Sequence, residues 1–186
     1  MPRCPRCSSR LPQGIVCDRC RPLLGFSRLF VPFPYAHPLV SALIDALKYE
    51  GVRDVAPFLA SYICITPTET KELSVIPVPL HQTRLRERGF NQSDLLASPI
   101  AENLGALYQN ALVRTKETAQ QVKLSRAERY ENLKDAFSQN VGKDVRGKSV
   151  LVVDDVITTG VTMSQAAKTL KRAGAKEIWA AAAAQG

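Results

Sequence analysis

The chain has no apolar run approaching the ~20 residues that a membrane-spanning helix requires, so insertion into a bilayer is not expected. Its first residues, MPRCPRC, lack the apolar core of a signal peptide, and a cytoplasmic protein is the expectation. Aromatic residues make up only 6% of the chain, too few for an interleaved array of base-stacking side chains. Any contact with nucleic acid is therefore expected to be electrostatic and weakly sequence-specific. Internal repeats are lacking, and no low-complexity tract precedes the alanines near the C-terminus.

What is present is ordinary for a globular protein: 45% hydrophobic and 23% charged residues leave no room for a large disordered region. The 186 residues suffice for one domain of about 150 residues and a small appendage. The net charge of +8 favours polyanionic partners, either a pyrophosphorylated sugar or nucleic acid, although solvated lysines are the commoner cause of such a balance.

The five cysteines are not expected to form disulfides in a reducing cytosol. Cys4 and Cys7, then Cys17 and Cys20, form two CxxC knuckles separated by nine residues, the ligand layout of a short zinc ribbon. Arg3, Arg6, Arg10, Arg19 and Arg21 surround them and are expected to keep the thiols ionised. About 20 residues cannot bury a core alone, so a metal is the natural way to order them. Tetrahedral zinc is favoured over redox-active CxxC pairs or an iron–sulfur cluster. Cys64, within Tyr62-Ile63-Cys64-Ile65, reads as a core filler.

The stretch Val150 to Thr162, VLVVDDVITTGVT, carries the chemistry. Its unbroken apolar start predicts a strand over 149–153 that is buried on both faces, as in a parallel sheet covered by helices. Asp154 and Asp155 stand at its carboxyl end. Thr158-Thr159-Gly160-Val161-Thr162 then leads into a helix over 162–173, opened by a capping box of Thr162 and Gln165. Such a turn aims backbone N–H groups and hydroxyls at one point in front of a helix dipole, which suits a phosphate. Two carboxylates beside it suit vicinal sugar hydroxyls or a divalent cation held through water. The turn lacks the Gly-Lys-Ser/Thr ending of a nucleoside-triphosphate loop.

The remaining elements place themselves around that unit. Residues 21 to 38, with four prolines, read as an extended linker packed as a strand. Pro38 opens a helix that Gly51 closes, and a second helix over 54–63 is expected to bury Val55, Phe58, Leu59 and Tyr62. Val75-Ile76-Pro77-Val78-Pro79 reads as a strand running into a basic loop with Arg84, Arg86 and Arg88, before a helix over 91–104 capped by Asn91 and kinked or broken at Pro99. Ala111 to Val113 is a further strand, and Arg114 to Gln121 a mobile loop. Ser125 and Glu128 open a short helix carrying Arg126, Arg129 and Asn132, followed by a strand at Ala136-Phe137 and, later, the return strand Ile178 to Ala184.

VLVVDDVITTGVT resembles the phosphoribosyl pyrophosphate (PRPP) signature of type I phosphoribosyltransferases. Together with the four-cysteine ribbon, Leu47-Lys48-Tyr49 with Gly51, Pro77-Val78-Pro79, and Arg88-Gly89-Phe90-Asn91-Gln92, the chain resembles the ComF/GntX family over nearly its whole length. The resemblance implies an α/β fold, a type I phosphoribosyltransferase-like parallel sheet flanked by helices, with a zinc ribbon over 1–24 and a PRPP-binding domain over 25–186. It also implies a role in natural competence, the handling of incoming single-stranded DNA; a separate reading makes the zinc ribbon a docking module for a DNA-uptake helicase, with the PRPP fold a platform. With Gly186 just past the last expected strand, no hood beyond the sheet is expected from these residues.

Carried over residue by residue, Asp154 and Asp155 would bind the ribose hydroxyls and the Mg²⁺ shell, and Thr158, Thr159, Gly160, Val161 and Thr162 the 5′-phosphate. Pro79 and Leu80 with Arg86 and Arg88 would hold the pyrophosphate, and Arg88 would join the two aspartates in any catalysis. Residues 114 to 121 would close over the site. An active transferase of unknown acceptor is the competing expectation. Removal of residues 1 to 24 is expected to leave PRPP binding in place.

Overall fold

The structure, a computed structural model, describes residues 1–65, 73–116, 133 and 135–186. Among them, six strands form one parallel sheet: β1 (Arg28–Phe30), β2 (Phe33–Pro34), β3 (Leu73–Pro77), β4 (Leu107–Tyr108), β7 (Ser149–Ile157) and β8 (Glu177–Gln185). The order is β1-β8-β7-β3-β4, with β2 also on β8. The linker strand expected between the cysteines and the main domain is thus the edge formed by β1 and β2. A separate antiparallel pair joins β5 (Leu112–Arg114) to β6 (Phe137–Gln139).

Two apolar layers cover the central strands. On one face, α6 (Val161–Arg172) packs Met163, Ala166, Ala167 and Leu170 against Val150 and Val152. On the other face, Leu151 and Val153 meet α2 (Pro38–Asp45), α3 (Val55–Ser61) and α5 (Gln92–Leu104). A strand sandwiched this way needs apolar side chains at successive positions, which β7 supplies. In β8 the run Ala180 to Ala184 is fully buried, and small side chains let both helical layers approach closely.

The cysteine segment joins the first of these layers. Cys4, Leu11, Val16 and Cys20, with Leu24 of α1 (Arg21–Leu24) and Phe26, lie in the same buried cluster as Val150 and Leu170. Burying each large side chain there stabilises the fold by about 1.5–3 kcal/mol. Gly14 makes the tight turn between the knuckles. Its φ is +75°, and a Cβ would stand 2.5 Å from the Leu29 carbonyl oxygen, so only glycine fits.

Several elements differ from their sequence-based expectations. β7 runs four residues further than 149–153, carrying both aspartates within the strand because its pairing with β8 continues to Ile157 and Gln185. α6 begins at Val161 after Gly160 in the left-handed region, and no side-chain capping bond forms, so the Thr162 capping box is not realised. The basic loop is a short helix, α4 (Gln82–Arg88), closed by Gly89. α5 runs through Pro99 without ending there.

Burial corrects two further expectations. α3 buries Ala56, Leu59 and Ala60, while Phe58 and Tyr62 are half exposed and meet edge to face with ring centroids 5.3 Å apart. Cys64 is exposed, because Ile63 and Ile65 on either side take the buried positions. The helix opening at Ser125, with Arg126, Arg129 and Asn132, lies outside the described residues, as does most of the expected closing segment 114–121.

Candidate functional site

The carboxyl edges of β3 and β7 and the first turns of α5 and α6 meet at one point. Asn91 fixes α5 there: its Oδ1 accepts from Ser93 N–H at 3.3 Å, and its Nδ2 donates to the Val78 carbonyl at 3.1 Å. The cap therefore ties the helix start to the end of β3, and the first-turn side chains Gln92 and Ser93 are delivered to the aspartates.

Asp155 is buried and has both oxygens engaged. Oδ1 lies 3.1 Å from Lys48 Nζ, and Oδ2 accepts from Gln92 Nε2 at 2.8 Å. Burial alone would lower the Lys48 pKa; attraction to Asp155, with a smaller contribution from Asp154, outweighs it and leaves the ammonium above its ordinary value. Lys48 stands on the π-helical turn Ala46–Glu50 that extends α2 and ends at Gly51. Single π turns occur frequently at functional positions.

Asp154 has different surroundings. One oxygen accepts from Ser93 Oγ at 3.0 Å and from the Asp155 N–H at 2.9 Å. Burial first, and the adjacent Asp155 carboxylate second, push its pKa up to about 7. Burial lowers the Arg114 pKa below its ordinary value, with Asp154 opposing that effect and Arg84 adding to it. A carboxyl with a raised pKa beside a buried Lys48–Asp155 ion pair at a strand terminus is the kind of group found at functional sites and in structural charge networks alike.

Immediately after β7, residues Asp154 and Val156 to Met163 line a hollow of about 60 Å³ at the head of α6. Thr158, Thr159, Gly160, Val161 and Thr162 all line it. The space suits a group of phosphate size in front of a helix dipole.

The second cluster is sulfur. Cys4, Cys7, Cys17 and Cys20 bring their Sγ atoms within 4.8 Å of one another, with Cys4 and Cys20 buried. Four thiols so gathered fit a tetrahedral metal ion of the zinc type. Burial raises Cys4 and pushes Cys20 up to about 12, whereas contacts with Ser9 hold Cys7 down to about 6. Of the surrounding arginines, Arg21 pairs with Asp18 at 2.7 Å, and Arg3 donates to the Ser8 carbonyl at 3.1 Å.

A model of the phosphoribosyl transferase domain matches residues 93–186. DNA utilization protein YhgH of Escherichia coli O157:H7 is 36% identical over 191 residues, covering 95% of this chain and 82% of that protein. Competence protein F of Haemophilus influenzae is 34% identical over 188 residues, again with 95% and 82% covered. The chain belongs to the ComF/GntX family. In a more distant member, competence protein ComFC of Streptococcus pneumoniae, identity is 31% over 70% of this chain and 56% of that one. Among solved structures, glutamine PRPP amidotransferase of Bacillus subtilis is matched with TM-score 0.44 and 25% identity, over 69% of this chain and 25% of that chain.

Within this ComF/GntX chain, the two aspartates, the residues from Thr158 to Thr162 and the four ribbon cysteines are gathered as two clusters. Pro79 and Leu80 are half-buried at the end of β3. The preferred arginines are less central: Arg86 is exposed, and Arg88 lies over the Tyr49 ring at 5.7 Å. The sequence assigns no site role to Lys48, Gln92 or Ser93, although Lys48 and Gln92 lie in the motifs that carry the resemblance, and it places Arg114 only at the start of the closing segment. Lys48 carried a signal, being a lone cation on the heels of the buried Leu47.

Proposed function

We propose that this chain is a PRPP-binding, phosphoribosyltransferase-like protein that acts in DNA uptake during natural competence, handling incoming single-stranded DNA in the cytoplasm. The observation that carries the reading is the phosphate-sized hollow at the head of α6 with Asp154 on its wall. The family membership and the names of the relatives support the biological role.

In this reading the backbone and hydroxyls from Thr158 to Thr162 hold the 5′-phosphate, and Asp154 accepts from the ribose hydroxyls. Asp155, with Lys48 and Gln92 on its two oxygens, keeps the edge of β7 rigid and contributes through its charge. Pro79 and Leu80 leave the end of β3 toward the pyrophosphate, with Arg84 and Arg114 added to Arg86 and Arg88 as its counter-charges. Mg²⁺ bound with PRPP beside Asp154 would supply charge compensation for the pyrophosphate. Zn²⁺ is the metal proposed for the four cysteines, and a DNA-uptake helicase the proposed protein partner.

The DNA arm of the proposal is tested with a labelled single strand. Affinity should fall steeply as salt rises, because released counterions drive backbone binding. No salt-sensitive binding at low ionic strength, with or without Mg²⁺-PRPP, sinks direct DNA handling. Pyrophosphate release with a panel of bases, amines and nucleotides decides whether the site also turns over.

A further inference from the structure

The cysteine ribbon touches the phosphate turn at three places. At its tip, a Cβ on Gly160 would stand 2.9 Å from Pro5 Cγ and 3.4 Å from Leu24 Cδ2, so the Cys4-Pro5-Arg6-Cys7 knuckle lies directly on the turn. In the first turn of α6, Ser164 Oγ donates to the Leu23 carbonyl at 3.0 Å. At the root, the Gln185 side chain accepts from Arg3 N–H at 2.9 Å and donates to the Arg3 carbonyl at 2.7 Å. Gln185 is the β8 partner of Ile157, the residue from which the turn departs.

Resting on the PRPP reading above, we infer that the metal-ordered knuckle is the back wall of the phosphate turn, and that Pro5 is a positioning residue for phosphate binding. Gly160 has φ +73°, a conformation whose freedom in the unfolded chain is large, and a turn containing it holds its N–H groups on one point only when packed from behind. Pro5, Leu23 and Leu24 supply that packing. All three lie within four residues of a ribbon cysteine, in a segment too short to bury a core of its own.

Metal loss therefore loosens the wall, and the turn pays the ordering entropy when phosphate binds. Binding free energies are reciprocal: if the metal tightens PRPP, PRPP must tighten the metal by the same factor. The consequence revises the expectation that removing residues 1 to 24 leaves PRPP binding in place.

The experiment uses the full chain loaded with zinc, the same chain stripped by a chelator under reducing conditions, and a zinc-loaded Pro5→Ala variant that keeps all four thiols. PRPP affinity with Mg²⁺ is measured by calorimetry on each. Zinc affinity is measured separately by competition with a chromophoric chelator, with and without PRPP. The expected result is PRPP binding at least about tenfold weaker in the stripped chain, and zinc held more tightly by the same factor when PRPP is present. Pro5→Ala should keep its zinc content and helical spectrum and bind PRPP several-fold more weakly. Equal PRPP affinity in all three forms overturns the coupling and leaves the PRPP reading standing. Failure of the zinc-loaded wild type to bind PRPP overturns both. The chelator competition keeps the test decisive if the stripped chain aggregates, because an unchanged zinc affinity on adding PRPP refutes the linkage without it.

Discussion

Lys48 Nζ lies 3.1 Å from Asp155 Oδ1, which ties the turn extending α2 to the carboxyl edge of β7 across the layer between them. Lys48 is 18% and Asp155 9% exposed, so each charge depends on the other for compensation. Lys48→Met should cost about 3–5 kcal/mol in urea unfolding, because it strands a buried carboxylate. The double variant Lys48→Met with Asp155→Leu should recover most of that loss. If the double variant is as unstable as the sum of its parts, the pair is not coupled as described.

Asp154 predicts an opposite dependence on pH from an ordinary paired carboxylate. Its folded pKa is raised to about 7, so the folded chain keeps a proton that the unfolded chain has released. Stability from this group is fully present below about pH 4 and declines as pH rises toward about 7. Asp154→Asn should therefore raise the melting temperature at pH 8 and leave it unchanged near pH 4. A gain of equal size at both would assign the effect to packing instead of charge.

Gly14→Ala tests the joint between ribbon and sheet. The φ of +75° and the Leu29 carbonyl leave no room for a methyl group, and strain of this kind costs about 1–3 kcal/mol before any backbone shift. Gly51→Ala is the control, since φ is +73° but nothing lies within 4 Å. The first variant should lower the melting temperature more than the second, and equal losses would show that backbone strain alone decides both.

The parts of this fold that sequence reveals are those whose cause is local. Val150 to Val153 announce a doubly covered strand, the CxxC spacing announces a four-thiol cluster, and Asn91 announces a cap. The Lys48–Asp155 pair was not legible because its members are far apart in sequence and meet only once the sheet is assembled. α4 hid because Arg84, Arg86 and Arg88 show no apolar stripe, while its His81 cap and the Gly89 stop are single-residue signals. Cys64 is not legible as exposed because it sits in an unbroken apolar run, whereas in the fold Ile63 and Ile65 are buried and Cys64 between them is not.

The phosphate turn illustrates the same division. Its residues are readable as a unit, but the helix that follows starts at Val161 and not Thr162, because the left-handed Gly160, not a Thr162 hydroxyl, opens it. What backs the turn, Pro5 and Leu24, comes from the far end of the chain and leaves no mark on the motif itself.

The most direct test of the central claim is calorimetric titration of the zinc-loaded chain with PRPP in the presence of Mg²⁺, beside the Asp154→Asn variant. The account predicts saturable binding of one PRPP per chain that needs Mg²⁺ and weakens at least about tenfold, or ~1.4 kcal/mol, in the variant. Absence of binding by the wild type, or an affinity that ignores both Mg²⁺ and the substitution, would contradict it.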